Sequence, residues 1–369
     1  MLNAETMDEM AVTAARSRDR LGNGQIAQEL DVFAAAGAFG MEDVHFKHDP
    51  TVGLQAIIAI HSTRLGPALG GTRCVAYPST GAAIRDAFKL ARGMSYKAAI
   101  HGLPLGGGKA VLIRPSGPLD REAYFEAYGM FVDLLGGRFV TAEDSGTSVA
   151  DMDVIARCTS HVSGTSALGD PAPHTASGVR RGIEAAVAYR NGGASLADAH
   201  VAVQGVGSVG YHLVAELVAR GARVTLADVD EEAARRCADE FSVRMVSPQE
   251  IYSVGADVFA PCALGGAINH QALRRLKAPI IAGSANNQLA DDSLAELVHG
   301  RGVLYAPDYV INGGGLLSVA VDDRSRLEEK LDEIHDTLLE LFMEAKRTNT
   351  PPIRIADQRA EAVLNGHAT

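Results

Sequence analysis

The feature that most limits what this chain can fold into lies at residues 200–230. There "HVAVQGVGSVG" is followed, beyond a stretch able to form a helix, by "ARVTLADVD". A β-branched run, the glycines Gly205-x-Gly207-x-x-Gly210 and a second apolar run ending in Asp228 predict a strand–turn–helix–strand unit. Each glycine answers a separate demand. Gly205 permits the tight turn, Gly207 lets the backbone approach a pyrophosphate, and Gly210 lets helix and strand close up. The helix opened by Val206, Ser208 and Val209 presents its N-terminus to a negative group. Asp228 stands near the ~20-residue offset at which an acid accepts hydrogen bonds from ribose hydroxyls. It would repel a 2′-phosphate, and no arginine follows it immediately, so NAD is expected rather than NADP. The bland alternative, a glycine-rich turn beside a solvated aspartate, leaves the agreement of all these features unexplained.

Around this unit the pattern alternates. Further strand candidates at 256–263, 278–286 and 302–310 have helical stretches between most of them, which predicts a parallel sheet covered by helices. A charged amphipathic helix is expected over 323–346. The Gly-, Pro-, Ser- and Thr-rich segment 164–179 reads as a linker or hinge. Upstream, 52–62 reads as a strand, "GPALGGTR" (66–73) as a glycine-rich turn, and 81–99 as a helix with Met94 and Lys97 on one face. A glycine loop then carries Lys109 into the strand "AVLIR". A helix over 120–136 and a strand entering a polar loop over 138–148 follow. Residues 1–30 suggest a loose helix or a disordered arm. The expected fold class is α/β, with two domains separated by a cleft. The first covers 1–163 and is completed by 346–369; the second, 164–345, is a Rossmann-type doubly wound parallel sheet.

The net charge of −11, with no basic cluster beyond the pairs Arg180-Arg181 and Arg274-Arg275, argues against nucleic acid as a partner. The cysteines at 74, 158, 237 and 262 form no C-x-x-C pair, which suits a reducing compartment. The N-terminus has early acids and no apolar segment of signal-peptide type, and no run approaches the ~18–20 apolar residues of a membrane helix. A cytoplasmic protein without membrane contact is expected. No cluster has metal-ligand spacing, so no metal is expected. Cys262 reads as a small buried residue at a strand end rather than a nucleophile, and His174 as a hydrogen-bonding residue of the hinge loop. "GLPLGGGKAVLIR" (102–114) is no P-loop: Leu103 stands where the first glycine is required and Ala110 where Ser or Thr should follow the lysine. Lys109 therefore calls for some other chemistry.

That chemistry is suggested by a resemblance. In order along the chain, "GPALGGTR", "RGMSYKAAIHGLPLGGGKAVLI", "TAEDSGTSVADMD", "DPAPHTASGV", "VAVQGVGSVG", "FAPCALGGAIN", "IAGSANNQLAD" and "LYAPDYVINGGGLLSV" resemble the amino acid dehydrogenases acting on leucine, valine, phenylalanine and, more distantly, glutamate. The similarity runs from about residue 50 to about 365. It implies that Lys109 is the catalytic lysine, Lys97 the binder of the substrate carboxylate, and Asp144 the acid that assists proton transfer and holds the amino group. Gly70, Gly71 and Met94 would line the substrate site. Asn286 and Asn287, with Ala285, would lie near the nicotinamide ribose and carboxamide, and Thr175, Cys262 and Ala263 would also border the cofactor. A homo-oligomer built through the first domain, such as an octamer, is implied as well.

Elementary chemistry agrees with that assignment. Deamination needs a fixed cation for the carboxylate and a base active near neutral pH. A lysine meets the second need when burial or another cation lowers its pKa, and Lys97 could supply that cation if folding brings it near Lys109. Leu69 and Val319 stand where the glutamate enzymes resemble lysine- and serine-bearing sites, so a side-chain carboxylate would be left unpaired. Leu316 and Val319 resemble the lining of leucine enzymes. Leucine, isoleucine and valine are favoured, with phenylalanine or tryptophan as the alternative; a non-catalytic NAD sensor is the rival of another class. Ser145-Gly146-Thr147 replaces the family's common Val-Asn-Thr, and the 164–171 loop is shorter than in leucine enzymes.

Overall fold

The computed structural model describes residues 30–167, 169–321 and 323–366, so the arm expected over 1–30 lies, Leu30 apart, outside the described residues. In the first half, helix α1 (Val32–Phe39) leads into strands β1 (Asp43–Asp49), β2 (Leu54–Ser62) and β3 (Ala68–Val75). Helix α2 (Thr80–Ile100), β4 (Gly106–Ile113), α3 (Arg121–Asp133), β5 (Phe139–Glu143) and α4 (Val149–Ala156) follow. In the second half, α5 (Ala172–Arg190), β6 (His200–Gln204), α6 (Ser208–Ala219), β7 (Arg223–Ala227), α7 (Glu231–Phe241) and β8 (Arg244–Met245) precede β9 (Val258–Pro261), α8 (His270–Arg275) and β10 (Ile280–Ile281). The chain closes with α9 (Leu294–Gly300), β11 (Leu304–Tyr305), α10 (Asp308–Ile311), α11 (Gly314–Ala320), α12 (Arg324–Thr348) and α13 (Pro352–Leu364).

Two sheets result. The first has order β1-β2-β4-β3-β5 and is mixed: β2 runs antiparallel to β1 and β4, whereas β3 runs parallel to β4 and β5. The second, order β11-β10-β9-β6-β7-β8, is parallel throughout, with the strand order turning back at β6. The central strands read as continuous apolar runs because both faces are covered; Ile57, Ile58, Ala59 and Ile60 of β2 are all buried. Helix α2 starts where the Ser79 hydroxyl accepts from Ala82 N, and it buries Ala83, Ile84, Ala87, Phe88 and Ala91 along one face. Helix α13 spans both halves. Glu361 accepts from Tyr96 Oη at 2.5 Å, and Asp357 from Tyr309 Oη at 2.9 Å.

Three local expectations are corrected. Residues 66–73 are not a turn: from Ala68 they form β3. The glycine loop before Lys109 is likewise the start of β4. Glycine is a poor strand former, but here neighbouring backbones lie so close that a Cβ on Gly70 would stand 1.8 Å from the Gly108 carbonyl oxygen. Close approach, not turning, selects it. The hinge expected over 164–179 is already helical from Ala172, so His174 sits on α5 rather than in a loop. Pro171 and Pro173 do not prevent this, because the first turn of a helix needs no partner for its N–H groups.

Candidate active site

Lys109 and Asp144 meet between the first sheet and its flanking loop. Lys109, on β4, is buried, and its Nζ lies 2.5 Å from Asp144 Oδ2 just beyond β5. Arg73 Nε approaches the same oxygen at 3.3 Å. Burial works to raise the Asp144 carboxyl, but the ammonium and the guanidinium outweigh it and hold the group well below the ordinary carboxylate range. Gly71 makes the pairing sterically possible. A Cβ there would lie 2.8 Å from both Asp144 Cβ and the Glu143 carbonyl oxygen, and 3.2 Å from Lys109 Nζ. Gly71 alone of these glycines leaves space beside the Lys109 amine; Gly70 and Gly106–Gly108 admit neighbouring backbone or side chains.

Lys97 projects from α2 toward the same place. Burial lowers its pKa to about 8; the Lys109 charge adds to that effect while Asp308 opposes it. The Lys109 charge is thus felt at Lys97. Lys97 Nζ also lies 3.5 Å from Asn286 Oδ1, which accepts from Asn312 Nδ2 at 2.8 Å. The substrate-lining candidates Leu69 on β3, Met94 on α2, and Leu316 and Val319 on α11 belong to one apolar cluster that runs across both halves of the chain. The loop Ser145-Gly146-Thr147 is well tied despite its unusual composition. Thr147 Oγ1 accepts from Asp144 N at 2.9 Å, and the Ser145 hydroxyl lies 3.3 Å from Asp144 Oδ1.

The cofactor candidates gather at the C-terminal ends of β6, β7, β9 and β10. Gly205 has φ +95°, and a Cβ on it would come within 2.8 Å of Ala263 N. Asp228 Oδ2 accepts from Val206 N at 2.7 Å, so the acid is fixed against the glycine turn. Gly207 borders open space and α6 begins without a side-chain cap, leaving its first N–H groups free for an anion. Cys262 N donates to the Gln204 carbonyl at 2.7 Å, and Ala285 N to that of Pro261 at 2.9 Å. Asn287 adopts a left-handed φ of +50°, unusual for a non-glycine residue. Ser208, Val209 and Gly210 form the first turn of α6, and Thr175, on α5, hydrogen-bonds Pro171 O at 3.2 Å. This arrangement fits a dinucleotide.

Three residues were not singled out from the sequence: Arg73, Asp308 and Asn312. Asp308 is buried, its carboxyl pushed up by burial and pulled back by backbone N–H groups and Lys97. Asn312 is buried too, and donates to Ser284 O at 3.0 Å. All three stand inside the quoted motifs "GPALGGTR" and "LYAPDYVINGGGLLSV". Only packing distinguishes them from their neighbours.

Comparison with known proteins decides the family. The profile of the Glu/Leu/Phe/Val dehydrogenase dimerisation domain matches residues 41–161, and that of glutamate/leucine/phenylalanine/valine dehydrogenase matches 225–349. The leucine dehydrogenase of Geobacillus stearothermophilus is 47% identical over 340 residues, 90% of this chain and 93% of that protein. The chain belongs to the glutamate/leucine/phenylalanine/valine dehydrogenase family. Another member of this family, the valine dehydrogenase of Streptomyces coelicolor, is 44% identical over 350 residues, 92% of this chain and 96% of its own. The crystal structure of L-tryptophan dehydrogenase from Nostoc punctiforme superposes with a TM-score of 0.77 at 41% identity, covering 90% of this chain and 98% of that one. The chain is therefore an amino acid dehydrogenase, an oxidoreductase acting on a CH–NH2 group, of a family dependent on NAD or NADP. Among the described residues no helix is long and apolar enough to cross a membrane.

Proposed function

We propose that the protein catalyses the reversible, NAD-dependent oxidative deamination of an apolar L-amino acid, leucine, isoleucine or valine, to the 2-oxo acid and ammonia. The observation that carries this is the convergence of Lys109, Asp144 and Lys97 beside the apolar cluster of Leu69, Met94, Leu316 and Val319. Lys97 holds the substrate carboxylate. Asp144 receives the amino group. Lys109 takes a proton from the water that adds to the imine carbon, hands it to the nitrogen, and takes the hydroxyl proton as the carbonyl forms and ammonia leaves with the help of Asp144, which holds the amino group. Gly205, Val206, Gly207, Ser208, Val209, Gly210, Asp228, Thr175, Cys262, Ala263, Ala285, Asn286 and Asn287 hold the dinucleotide, which supplies the hydride acceptor when bound. Asp228 favours NAD, since a 2′-phosphate would meet its carboxylate.

The pocket excludes glutamate because a carboxylate against Leu69 and Val319 finds no partner. Selectivity among the branched aliphatics is soft, since one methylene is worth ~1–3 kcal/mol. An aromatic substrate is the second reading, favoured by the likeness to tryptophan dehydrogenase. We infer further that 1–163 with 346–369 forms a substrate-binding and oligomerising domain, that 164–345 forms the dinucleotide domain, and that the chain works as a cytoplasmic homo-oligomer.

The test is NADH formation at alkaline pH with leucine, isoleucine, valine, phenylalanine, tryptophan and glutamate in parallel, repeated with NADP. Turnover of the branched aliphatics with NAD is expected. Turnover of tryptophan alone would select the aromatic reading, and turnover of none would leave only a nucleotide-binding sensor.

A further inference from the structure

We propose that Arg73 is a positioning residue, which locks Asp144 as a permanent anion aimed at Lys109, so that Lys109 and not Asp144 is the group of the pair that gains and loses the proton. The inference rests on the functional reading above and deepens it. Arg73 lies two residues beyond Gly71 on β3, hence on the same face of the strand, where Gly71 leaves room for the pair. Its guanidinium is held at both ends. Nε lies 3.3 Å from Asp144 Oδ2, and Nη1 lies 2.9 Å from Asp86 Oδ2 on α2. Asp86 in turn accepts from Tyr77 Oη at 2.6 Å.

The geometry has a chemical consequence. Lys109 and Arg73 share Oδ2, whereas Oδ1 meets the Ser145 hydroxyl at 3.3 Å, and the Ser145 backbone N–H also donates to the carboxylate. When Lys109 is neutral and acts as a base, its own charge no longer pairs Asp144. Without a second cation, a carboxylate this buried would compete for the proton. Arg73 supplies that cation, and a guanidinium does not deprotonate in this range. The other charged groups facing the pair are Lys97 and Asp86 on α2, Glu143 at the end of β5 and, across the cleft through Lys97, Asp308 on α10.

The experiment compares the pH dependence of kcat/KM for the preferred amino acid in the full-length wild type and in Arg73→Met, Arg73→Lys and Asp86→Asn, with thermal melts as the folding control. Arg73→Met removes a positive charge, so Lys109 holds its proton more tightly. The limb on which a base must be freed moves to higher pH by about half a unit or more, and kcat falls roughly 10- to 100-fold. Arg73→Lys returns the limb toward the wild-type position. Asp86→Asn removes a negative charge from the far side of Arg73 and shifts the limb the opposite way. An Arg73→Met profile that superimposes on the wild type after scaling overturns the proposal, as does the same shift in Arg73→Met and Asp86→Asn. Either result leaves the deaminase assignment standing, because that rests on wild-type turnover.

Discussion

Lys97, proposed to hold the substrate carboxylate, sets that role against stability, and the conflict can be measured. Burial holds this lysine at about 8, against the ordinary 10.5. Each pH unit of depression corresponds to about 1.4 kcal/mol, so keeping the ammonium charged costs at most about 3 kcal/mol, and less to the extent that solvent reaches the half-buried side chain. The attraction of Asp308 is already included in that balance. Lys97→Met removes the charge while keeping most of the stem. At pH 7, below the folded pKa, the variant should be more stable by up to about 3 kcal/mol, a rise in Tm of several degrees. The sign follows from proton counting. Between about pH 8 and 10.5 the unfolded chain binds a proton that the folded chain does not, so wild-type stability climbs with pH through that window. The variant's advantage should therefore shrink from pH 8 upward and vanish near 10.5. Activity should move the other way. Loss of a desolvated charge partner for the substrate carboxylate costs about 2–5 kcal/mol, so kcat/KM should fall by at least ~30-fold. Equilibrium unfolding at pH 7 and pH 10, beside initial rates, checks both. A variant no more stable than wild type at pH 7, or one with an equal gain at both pH values, would refute the reasoning.

Other outcomes follow from the same geometry. Gly71→Ala should lose about 100-fold in kcat, because its Cβ would crowd both Asp144 Cβ and the Glu143 carbonyl oxygen, each 2.8 Å away; steady-state kinetics beside a thermal melt decide this. Val319→Ala should enlarge the proposed substrate site and raise the phenylalanine-to-leucine ratio of kcat/KM by about 10-fold, read from parallel rates. Lys109→Met should abolish turnover while NADH still binds, as followed by nucleotide fluorescence; retained turnover would remove Lys109 from the chemistry.

Local pattern sufficed for five strands of the second sheet; the two-residue edge strand β8 (Arg244–Met245) is too short to leave one. β6, β7 and β9 are short apolar runs between helices, and the spacing of Gly205, Gly207, Gly210 and Asp228 already requires a parallel sheet with an anion site at its edge. The strand β1 escaped notice because "DVHFKHD" is polar along an edge and carries no apolar run. Arg73 and Asp308 escaped because a charged residue reads as solvated until packing shows what surrounds it.

Periodicity and glycine spacing are local quantities, so the chain by itself determined its α/β class and the glycine turn of the second sheet; the role proposed for Lys109 came from the resemblance. Whether Gly70 and Gly106–Gly108 bend or lie flat, how near Lys97 comes to Lys109, and which cations flank Asp144 were settled only by tertiary structure. Those outcomes depend on distances between segments far apart in sequence, and on the loss of water around charges that the open chain leaves hydrated.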